Sequence, residues 1–575
     1  MQKAMRPLSL PVLLLALALP GQKKAPEPKE DPATLQDFVA VQTFLEQYKV
    51  GAIRLMKEGV DDPQALAQVD QVLGALAKWN TLRAVTKLFE VAALDPSPPG
   101  AEGPSARIDF HRELQPWKVR DLARRHIAAM QCEGLDHWLI GKLEVKTRGG
   151  GEEQLRPERE AAMRILALRG GLAAREALLK ATQVLPPAER VLAVQTLGEG
   201  AALDSVGDLL GMLADKEPNA RIAAINSLGK ALGPHTDETQ PEKAPPAVAA
   251  LRDQAIDKLK GLLLKDPVWQ VRSAAAESLV ALRCKAAIPV LIQGLEAELA
   301  RAKDPWALDL RLPKLLEGLT GQKVLPGSAA PWKEFWKREA ATFAFARTAG
   351  EHAAAKTSQQ QARYQKFFNL EVDSRRMLFV LDFSGSMAEP AHLKPKGPEG
   401  TQSPVQAGPG STQTKAQLVV QELKKMVMAL PEGSLFNMVV FADDVRVWRA
   451  SPDGKPGLVK IDDHARDDLL GSFLDSLQPH GPTNLHGALD VALGFAGRGL
   501  YDKWYATSFD TLYVLSDGAP SYGAVTDKAE ICRLVREANG LRKVVIHTVT
   551  FGDKNDTDFL RKMAEENGGR HIHVE

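Results

Sequence analysis

Five side chains with oxygen donors occur at three places in the chain where their chemistry could be combined. Asp382, Ser384 and Ser386 lie in the stretch Asp-Phe-Ser-Gly-Ser, directly after an apolar run. Thr483 precedes an apolar helical pattern, and Asp517 follows a second apolar run. Hydroxyl and carboxylate oxygens are ligands for hard cations, and Mg²⁺ takes about six of them in a near-octahedral shell. The five residues therefore predict a site for Mg²⁺ or Mn²⁺.

This set resembles the metal-ion-dependent adhesion site of von Willebrand factor type A domains, which has the same residue types in the same order. The resemblance implies that the three hydroxyl groups coordinate the ion directly, while Asp382 and Asp517 act partly through water molecules. One coordination position then stays open for a carboxylate from another molecule. The resemblance thus implies a docking site for a protein partner that presents an Asp or Glu side chain.

The sequence after residue 365 alternates short apolar strands with helical patterns, which indicates an α/β doubly wound, mostly parallel sheet covered on both faces. Strands are predicted at 377–382, 435–442, 445–449, 511–516, 543–551 and 570–574, and helices at 414–430, 464–477, 485–495, 527–538 and 556–567. In such folds ligands bind beyond the carboxyl ends of the strands. Asp382 and Asp517 both fall there.

Residues 389–413 depart from the compact form of this family. The segment is rich in Pro, Gly, Ser and Gln, a composition that buries too little apolar surface to offset the entropy of ordering. We therefore predict a mobile loop beside the metal site. It either gates or extends the binding surface, or it is a tolerated insertion.

Two other functions are compatible with parts of the sequence. Ser384 or Ser386 could form a hydrolase triad with His486 and Asp517, but the chain has no Gly-x-Ser-x-Gly elbow and both serines are already explained as metal ligands. We therefore expect that the protein is not an enzyme. In the second alternative, the helical repeats described next are the working surface of a scaffold and the metal site is vestigial.

The middle of the chain repeats. Arg159, Arg190 and Arg221 follow one another at a spacing of 31 residues, and each has Ala three residues and Leu seven residues further on. The pattern returns at Arg272, after an insertion at 233–246 that is predicted to be a loop. A period near 30 residues with paired helices is typical of an all-α solenoid, and the last two units resemble HEAT-like repeats. We expect the arginines to brace neighbouring repeats.

The amino terminus has a different character. Lys3 and Arg6 precede an apolar run at 8–19 and small residues near 16–21, which predicts a secretory signal peptide and a periplasmic or extracellular location. The alternative is that the segment stays uncleaved as an N-terminal anchor. The chain of 575 residues is long enough for several domains. The predicted division is a signal peptide at 1–21, a linker at 22–31, a helical region at 32–150, HEAT-like repeats at 155–340, a linker at 341–364 and a von Willebrand factor type A domain at 365–575.

Composition narrows the range of partners. A formal net charge of +1 gives no electrostatic reason to expect nucleic acid. The run at 8–19 is too short for a comfortable membrane span, so none is expected after signal removal.

Cys132, Cys284 and Cys532 form neither a disulfide framework nor a zinc spacing. Cys284 and Cys532 lie in helical patterns, where we expect them to be buried.

Overall fold

The computed structural model describes residues 32–57, 60–94, 116–144, 157–199, 203–240, 247–301, 308–322, 324, 327–345, 365–368, 370–372, 374–391, 413–450, 456–493, 509–551 and 554–574. The predicted signal peptide and first linker lie outside the described residues. So do all of the second linker after residue 345 and the interior of the predicted loop, 392–412. Within the described part of the chain, no helix combines the length and apolar character needed to cross a membrane.

The first part of the chain is a stack of helices with one contiguous apolar core. The helices are α1 Pro32–Lys49, α2 Pro63–Ala77, α3 Leu82–Ala92, α4 Pro116–Ala129, α5 Leu135–Gly141, α6 Pro157–Arg169, α7 Leu172–Val184, α8 Pro187–Glu199, α9 Val206–Met212, α10 Pro218–Thr236, α11 Val248–Lys265, α12 Trp269–Ala281, α13 Ala287–Ala300, α14 Leu308–Thr320 and α15 Ala330–Glu339. A small antiparallel hairpin, β1 Met56–Lys57 with β2 Val60–Asp61, separates α1 from α2 and was not predicted.

The four predicted repeat units fall on α6, α8, α10 and α12, and their core positions are buried. The relevant residues, at most 3% exposed, are Ala162, Leu166, Ala193, Leu197, Ala224, Leu228, Ala275 and Leu279. Close packing between units requires small residues, because a Cβ added at Gly198 would lie 2.0 Å from the Ser227 hydroxyl. The predicted loop at 233–246 is partly wrong, since α10 continues to Thr236, whose hydroxyl bonds to the carbonyl of Leu282 at 2.8 Å.

The arginines brace neighbouring repeats, as predicted. Arg159 pairs with Glu189 of α8 at 2.7 Å, and Arg272 pairs with Glu298 of α13 at 2.7 Å. Arg221 reaches Asp266, just before α12, at 2.9 Å. Arg159 and Arg221 therefore link one helix pair to the next. Arg272 links the two helices of its own pair and also donates to the main-chain oxygen of Asp266, at the end of the preceding helix, at 2.9 Å.

The C-terminal part begins with a hairpin of β3 Gln365–Phe367 and β4 Leu370–Val372, and its further strands are β5 Arg376–Asp382, β6 Leu435–Phe441, β7 Val445–Val447, β8 Val459–Lys460, β9 Thr511–Ser516, β10 Val545–Thr550 and β11 His571–His573. Strands β5 to β11 form a seven-stranded sheet with the order β11-β10-β9-β5-β6-β7, in which β8 pairs with β6. Strands β5, β6, β9, β10 and β11 are parallel, and β7 and β8 are antiparallel. Two apolar cores cover its two faces, so the predicted doubly wound fold is confirmed. The helices of this part are α16 Lys415–Ala429, α17 Asp463–Asp467, α18 Leu485–Leu493, α19 Lys528–Arg542 and α20 Lys554–Glu566.

The helix predicted at 464–477 is not a single α-helix. After α17, residues Asp468–Phe473 form a π-helical turn and Leu474–Ser476 a 3₁₀ turn. Leu469 and Leu474 are both buried in the same core, and their five-residue separation fits one π turn better than an α turn. Gly471 lies in this turn and lowers the helical propensity there.

The helical stack and the sheet domain contact each other through the end of α19. Leu541 is fully buried and belongs to the apolar core of the helical part. Lys543 Nζ bonds to Asn226 Oδ1 and to Glu277 Oε2, both at 2.7 Å. Arg311 donates to the main-chain oxygen of Lys543 at 2.8 Å. An apolar contact flanked by charged hydrogen bonds thus holds the two parts together.

Cys284 and Cys532 are buried, as expected. Burial raises the pKa of each thiol to about 11. Both therefore stay protonated and behave as apolar side chains.

Candidate metal centre

The predicted site lies at the carboxyl edge of the sheet where the strand order reverses. Strand β5 lies between β6 and β9, and Leu381 is in parallel register with Leu515. Asp382 ends β5, and Asp517 immediately follows β9. Because neighbouring parallel strands end at the same edge, these two carboxylates project from adjacent strands into the crevice where such folds bind ligands.

The Asp382 carboxylate is fully buried and held from two sides. Its Oδ1 accepts a hydrogen bond from the main-chain N–H of Ser384 at 2.8 Å, and its Oδ2 accepts one from the Ser516 hydroxyl at 2.5 Å. Burial, together with the negative charge of Asp517, raises the pKa of Asp382 to about 6. Ser516 was missed as a site residue, although its position directly before Asp517 was a usable signal.

The two serines and Asp517 form a continuous chain of oxygens. The hydroxyl oxygens of Ser384 and Ser386 are 3.2 Å apart. Ser386 then donates its hydroxyl proton to Asp517 Oδ1 at 2.8 Å. Four of the five predicted residues, including Asp382 through its bond to Ser384, are therefore connected within one cluster.

Thr483, the fifth residue, lies on a loop that is pinned between the other two segments. The main-chain oxygen of Gly481 accepts from Gly385 N at 2.8 Å. Thr483 N donates to the Ser521 hydroxyl at 3.0 Å, and Ser521 N returns a bond to Thr483 O at 3.0 Å. The loop thus packs against the serine turn on one side and the segment after Asp517 on the other, and Thr483 is buried.

Two charged residues that the sequence reasoning missed complete the surroundings. Lys415, the first residue of α16, donates to Asp517 Oδ2 at 2.8 Å and to Glu389 Oε2 at 2.8 Å. The base of the predicted loop is closed here, because Lys415 N bonds to Glu389 O at 3.0 Å and Ala391 N bonds to Gln413 O at 2.9 Å. Both ends of that segment are therefore anchored beside the site. The sequence gave no signal that Glu389 and Lys415 belong to the site, because a charged residue does not indicate its partner and the two are 26 residues apart.

A second cluster of possible ligands is exposed at the rim. Asp443, Asp444 and His480 have ligand atoms within 4.8 Å of one another. The His480 ring bonds to the main-chain oxygen of Gln478 through Nδ1 at 2.9 Å, and its Nε2 lies 3.2 Å from Asp444 Oδ1. The Gln478 carbonyl and then the two aspartates raise the pKa of His480. Contacts of the His480 ring with the two exposed carboxylates, at 3.5 Å to Asp443 and 3.2 Å to Asp444, account for this group.

The hydrolase alternative gains no support from the geometry of the serines. The Ser386 hydroxyl donates a hydrogen bond to a carboxylate oxygen, Asp517 Oδ1, and not to a histidine nitrogen. His486 lies in the first turn of α18 and is buried. His486 therefore lies within the helix predicted at 485–495.

The residues present fit a hard divalent cation. The set contains hydroxyl and carboxylate oxygens, with neither sulfur nor imidazole among the five, as Mg²⁺ and Mn²⁺ prefer. Burial first, and then repulsion by the nearby carboxylate of Asp517, raises the pKa of Asp382. A bound cation would relieve that repulsion and would act there as a Lewis-acidic docking point for an anionic oxygen.

The fold and the arrangement of the site define a class of protein. The chain matches the family model of the von Willebrand factor type A domain over residues 408–572 and that of the HEAT repeat over residues 255–282. The C-terminal part of the chain is a von Willebrand factor type A domain, and the helical part carries HEAT-like repeats. The first match begins after Ser386, and the second covers residues 255–265 of α11 and all of α12.

Two curated relatives each match part of this chain. Inter-alpha-trypsin inhibitor heavy chain H1 of Sus scrofa is 28% identical over 204 residues, which is 35% of this chain and 19% of that protein. Heavy chain H6 of Homo sapiens is 27% identical over 159 residues, covering 27% of this chain and 12% of that protein. The chain therefore spans less than a fifth of the length of these relatives. The domain class points to protein–protein interaction.

Two solved structures each match part of the chain. A von Willebrand factor type A protein from Catenulispora acidiphila has a TM-score of 0.24 at 17% identity and covers 36% of this chain and 40% of its own. The complex of CpcE and CpcF of phycocyanin lyase from Nostoc sp. PCC7120 has a TM-score of 0.20 at 15% identity and covers 52% of this chain and 100% of its own.

Proposed function

We propose that this is an exported, non-enzymatic interaction protein that binds an acidic partner through a divalent cation. In this proposal Asp382, Ser384, Ser386, Thr483 and Asp517 hold Mg²⁺ or Mn²⁺. The partner supplies an Asp or Glu carboxylate to the open coordination position. The HEAT-like repeats act as the scaffold that carries the domain.

One observation carries the proposal. Two carboxylates on adjacent strands meet two serine hydroxyls in a buried cluster, with Ser384 N bonded to Asp382 at 2.8 Å and Ser386 Oγ bonded to Asp517 at 2.8 Å. This is a set of hard-cation donors at the strand-order reversal, the usual ligand position of the fold. If Asp382 and Asp517 act partly through water, as the resemblance implies, the direct ligands of a bound dication would be neutral hydroxyls, and the ion would still attract a further anionic oxygen.

Metal binding is tested by calorimetry on the full chain with Mg²⁺ and with Mn²⁺. We expect one site per chain, and we expect Asp517→Ala and Thr483→Ala to lose the heat while keeping the wild-type circular dichroism. His486→Ala is the matched control, because His486 is buried nearby but is assigned no ligand role. Absence of binding by the wild type, or equal binding by Asp517→Ala, would refute the metal site.

Partner binding is tested by capture in Mg²⁺ and in chelator. Capture that requires the metal and is lost in Asp517→Ala supports adhesion through this site. Capture that survives the chelator and both substitutions favours the alternative, a helical-repeat scaffold with a vestigial metal site. Fractionation of producing cells tests export, which predicts that the chain is recovered outside the cytoplasm.

A further inference from the structure

A lysine forms one wall of the proposed metal centre. The Lys415 ammonium donates to Asp517 Oδ2 at 2.8 Å and to Glu389 Oε2 at 2.8 Å, and it lies 3.4 Å from the main-chain oxygen of Ser386. Its side chain is only 10% exposed. The ammonium is therefore wedged between a buried residue of the site and a residue at the surface.

The position of Lys415 in its helix is electrostatically unfavourable. It is the first residue of α16, where the partial positive charge of the helix dipole disfavours a cation. Burial also works against its charge, but the ammonium donates hydrogen bonds to the carboxylates of Asp517 and Glu389, both at 2.8 Å. The lysine is thus held in place as a cation by the two carboxylates.

Those two carboxylates differ in accessibility. The Asp517 side chain is fully buried, whereas the Glu389 side chain is 65% exposed. Glu389 therefore reaches Lys415 from the solvent side of the site. Its ion pair is partly screened by water and should be easy to exchange for another carboxylate.

The charge of the centre also favours an anionic ligand. Asp382 and Asp517 supply two negative charges and Lys415 supplies one positive charge. A divalent cation would make the sum of these groups positive by one charge, which Glu389 balances in the free protein and which a partner's carboxylate would balance after replacing Glu389. A neutral oxygen ligand would leave the positive charge in a partly dry site, where it is costly.

We propose that Lys415 is a second anchor for the partner's carboxylate, and that Glu389 occupies this anchor in the free protein. The inference rests on the proposed function and identifies a specificity-determining residue for it. A carboxylate has two oxygens. One would face the open metal position, while the other replaces Glu389 at the Lys415 ammonium. The pair Lys415–Glu389 thereby selects carboxylates over neutral ligands.

The test uses the full chain loaded with Mn²⁺ and titrated with glutarate, a small dicarboxylate, with neutral glutaramide as the matched control. The longitudinal relaxation rate of water protons falls when a ligand displaces water from bound Mn²⁺, so its midpoint measures the affinity for the carboxylate. Lys415→Met is expected to raise the glutarate midpoint about tenfold, because a charge-assisted hydrogen bond is lost. Glu389→Gln is expected to lower it about two- to fivefold, because an exposed competitor is removed.

A purely structural role for Lys415 predicts a different pattern. Damage to the site would weaken Mn²⁺ and glutarate together, whereas our proposal predicts tighter Mn²⁺ binding by Lys415→Met, since a cation beside Asp517 is removed. Lys415→Arg, which keeps the charge, should restore the glutarate midpoint. In the Lys415→Met background, Glu389→Gln should have no further effect, because the two residues act as one unit.

The outcomes separate this inference from the proposed function. If the wild type does not enhance water relaxation with Mn²⁺, the metal site itself fails. If Mn²⁺ binds but Lys415→Met leaves the glutarate midpoint unchanged, only the second anchor is overturned. If Lys415→Met does not fold, the test uses Glu389→Gln in the wild type and in Lys415→Arg. A glutarate midpoint that Glu389→Gln leaves unchanged in both backgrounds overturns the proposal.

Discussion

The contact between the helical repeats and the von Willebrand factor type A domain can be weakened by a single substitution, Lys543→Ala. The Lys543 side chain is only 10% exposed and bonds to Asn226 Oδ1 and Glu277 Oε2, both at 2.7 Å. Lys543 has a left-handed backbone with φ of 61°. Alanine keeps a Cβ, so the backbone strain is the same in both proteins and does not contribute to the difference.

The magnitude follows from the two lost bonds. The bond to Asn226 contributes about 1 kcal/mol, as is usual for a net hydrogen bond. Glu277 is 37% exposed, so solvent screens its ion pair and its contribution is also about 1 kcal/mol. The expected loss of about 2 kcal/mol lowers the midpoint of the first unfolding transition by about 4–8 °C, given the usual scaling for domains of this size.

Differential scanning calorimetry measures this effect, with Lys562→Ala as the control. Lys562 is 61% exposed and lies 3.8 Å from Glu566 on the same helix, so its removal should change stability by less than about 0.5 kcal/mol. We expect Lys543→Ala to separate the unfolding of the helical part from that of the sheet domain. A thermogram of Lys543→Ala that coincides with those of the wild type and the control would refute the contribution assigned to this contact.

Three further predictions concern the cores and the site loop. Leu228→Ala, at a fully buried repeat position, should lower the free energy of unfolding in urea by about 2–5 kcal/mol, whereas Leu172→Ala, at a 65% exposed position, should change it by less than about 0.5 kcal/mol. Burial, followed by nearby cations, lowers the pKa of His547 to about 3. As the pH falls from 7 to 5, the unfolded chain binds a proton at this histidine and the folded chain does not. The free energy of unfolding, which has its full value above the unfolded pKa, should therefore fall by about 2 kcal/mol over that range. His547→Asn should flatten that pH dependence of the urea midpoint. Gly481→Ala should weaken Mg²⁺ binding in calorimetry and destabilise the fold, because φ is 59° and the added Cβ would lie 2.4 Å from Asp443 Oδ1; unchanged affinity would show that the loop tolerates the shift.

Much of the fold follows from local patterns in the sequence. The alternation of apolar strands and helical patterns predicted the parallel sheet, because a strand buried on both faces must be apolar throughout. The Arg-Ala-Leu spacing predicted the repeat helices, since buried positions recur at the helical period. The placement of Asp382 and Asp517 at strand ends predicted that they would lie close together. Each of these signals depends on residues near one another in the chain.

Local patterns also had limits within single elements. The periodicity at 464–477 predicted one helix, but it could not distinguish an α turn from the π turn at Asp468–Phe473. That choice depends on which leucines the sheet core accommodates, and hence on packing against other strands. The hairpin of β1 and β2 is too short to produce an alternating pattern.

The charged contacts around the site were decided by the tertiary structure alone. Glu389 and Lys415 are 26 residues apart and Lys415 and Asp517 are 102 apart, while Asn226 and Lys543 are separated by 317. A charged side chain in a sequence carries no record of its partner, because an exposed lysine and a buried, paired one have the same local context. The sequence could therefore identify the candidate oxygen donors and most of the strands and helices. The lysine beside the site, and the contact that joins the two domains, depend on which surfaces the folded chain brings together.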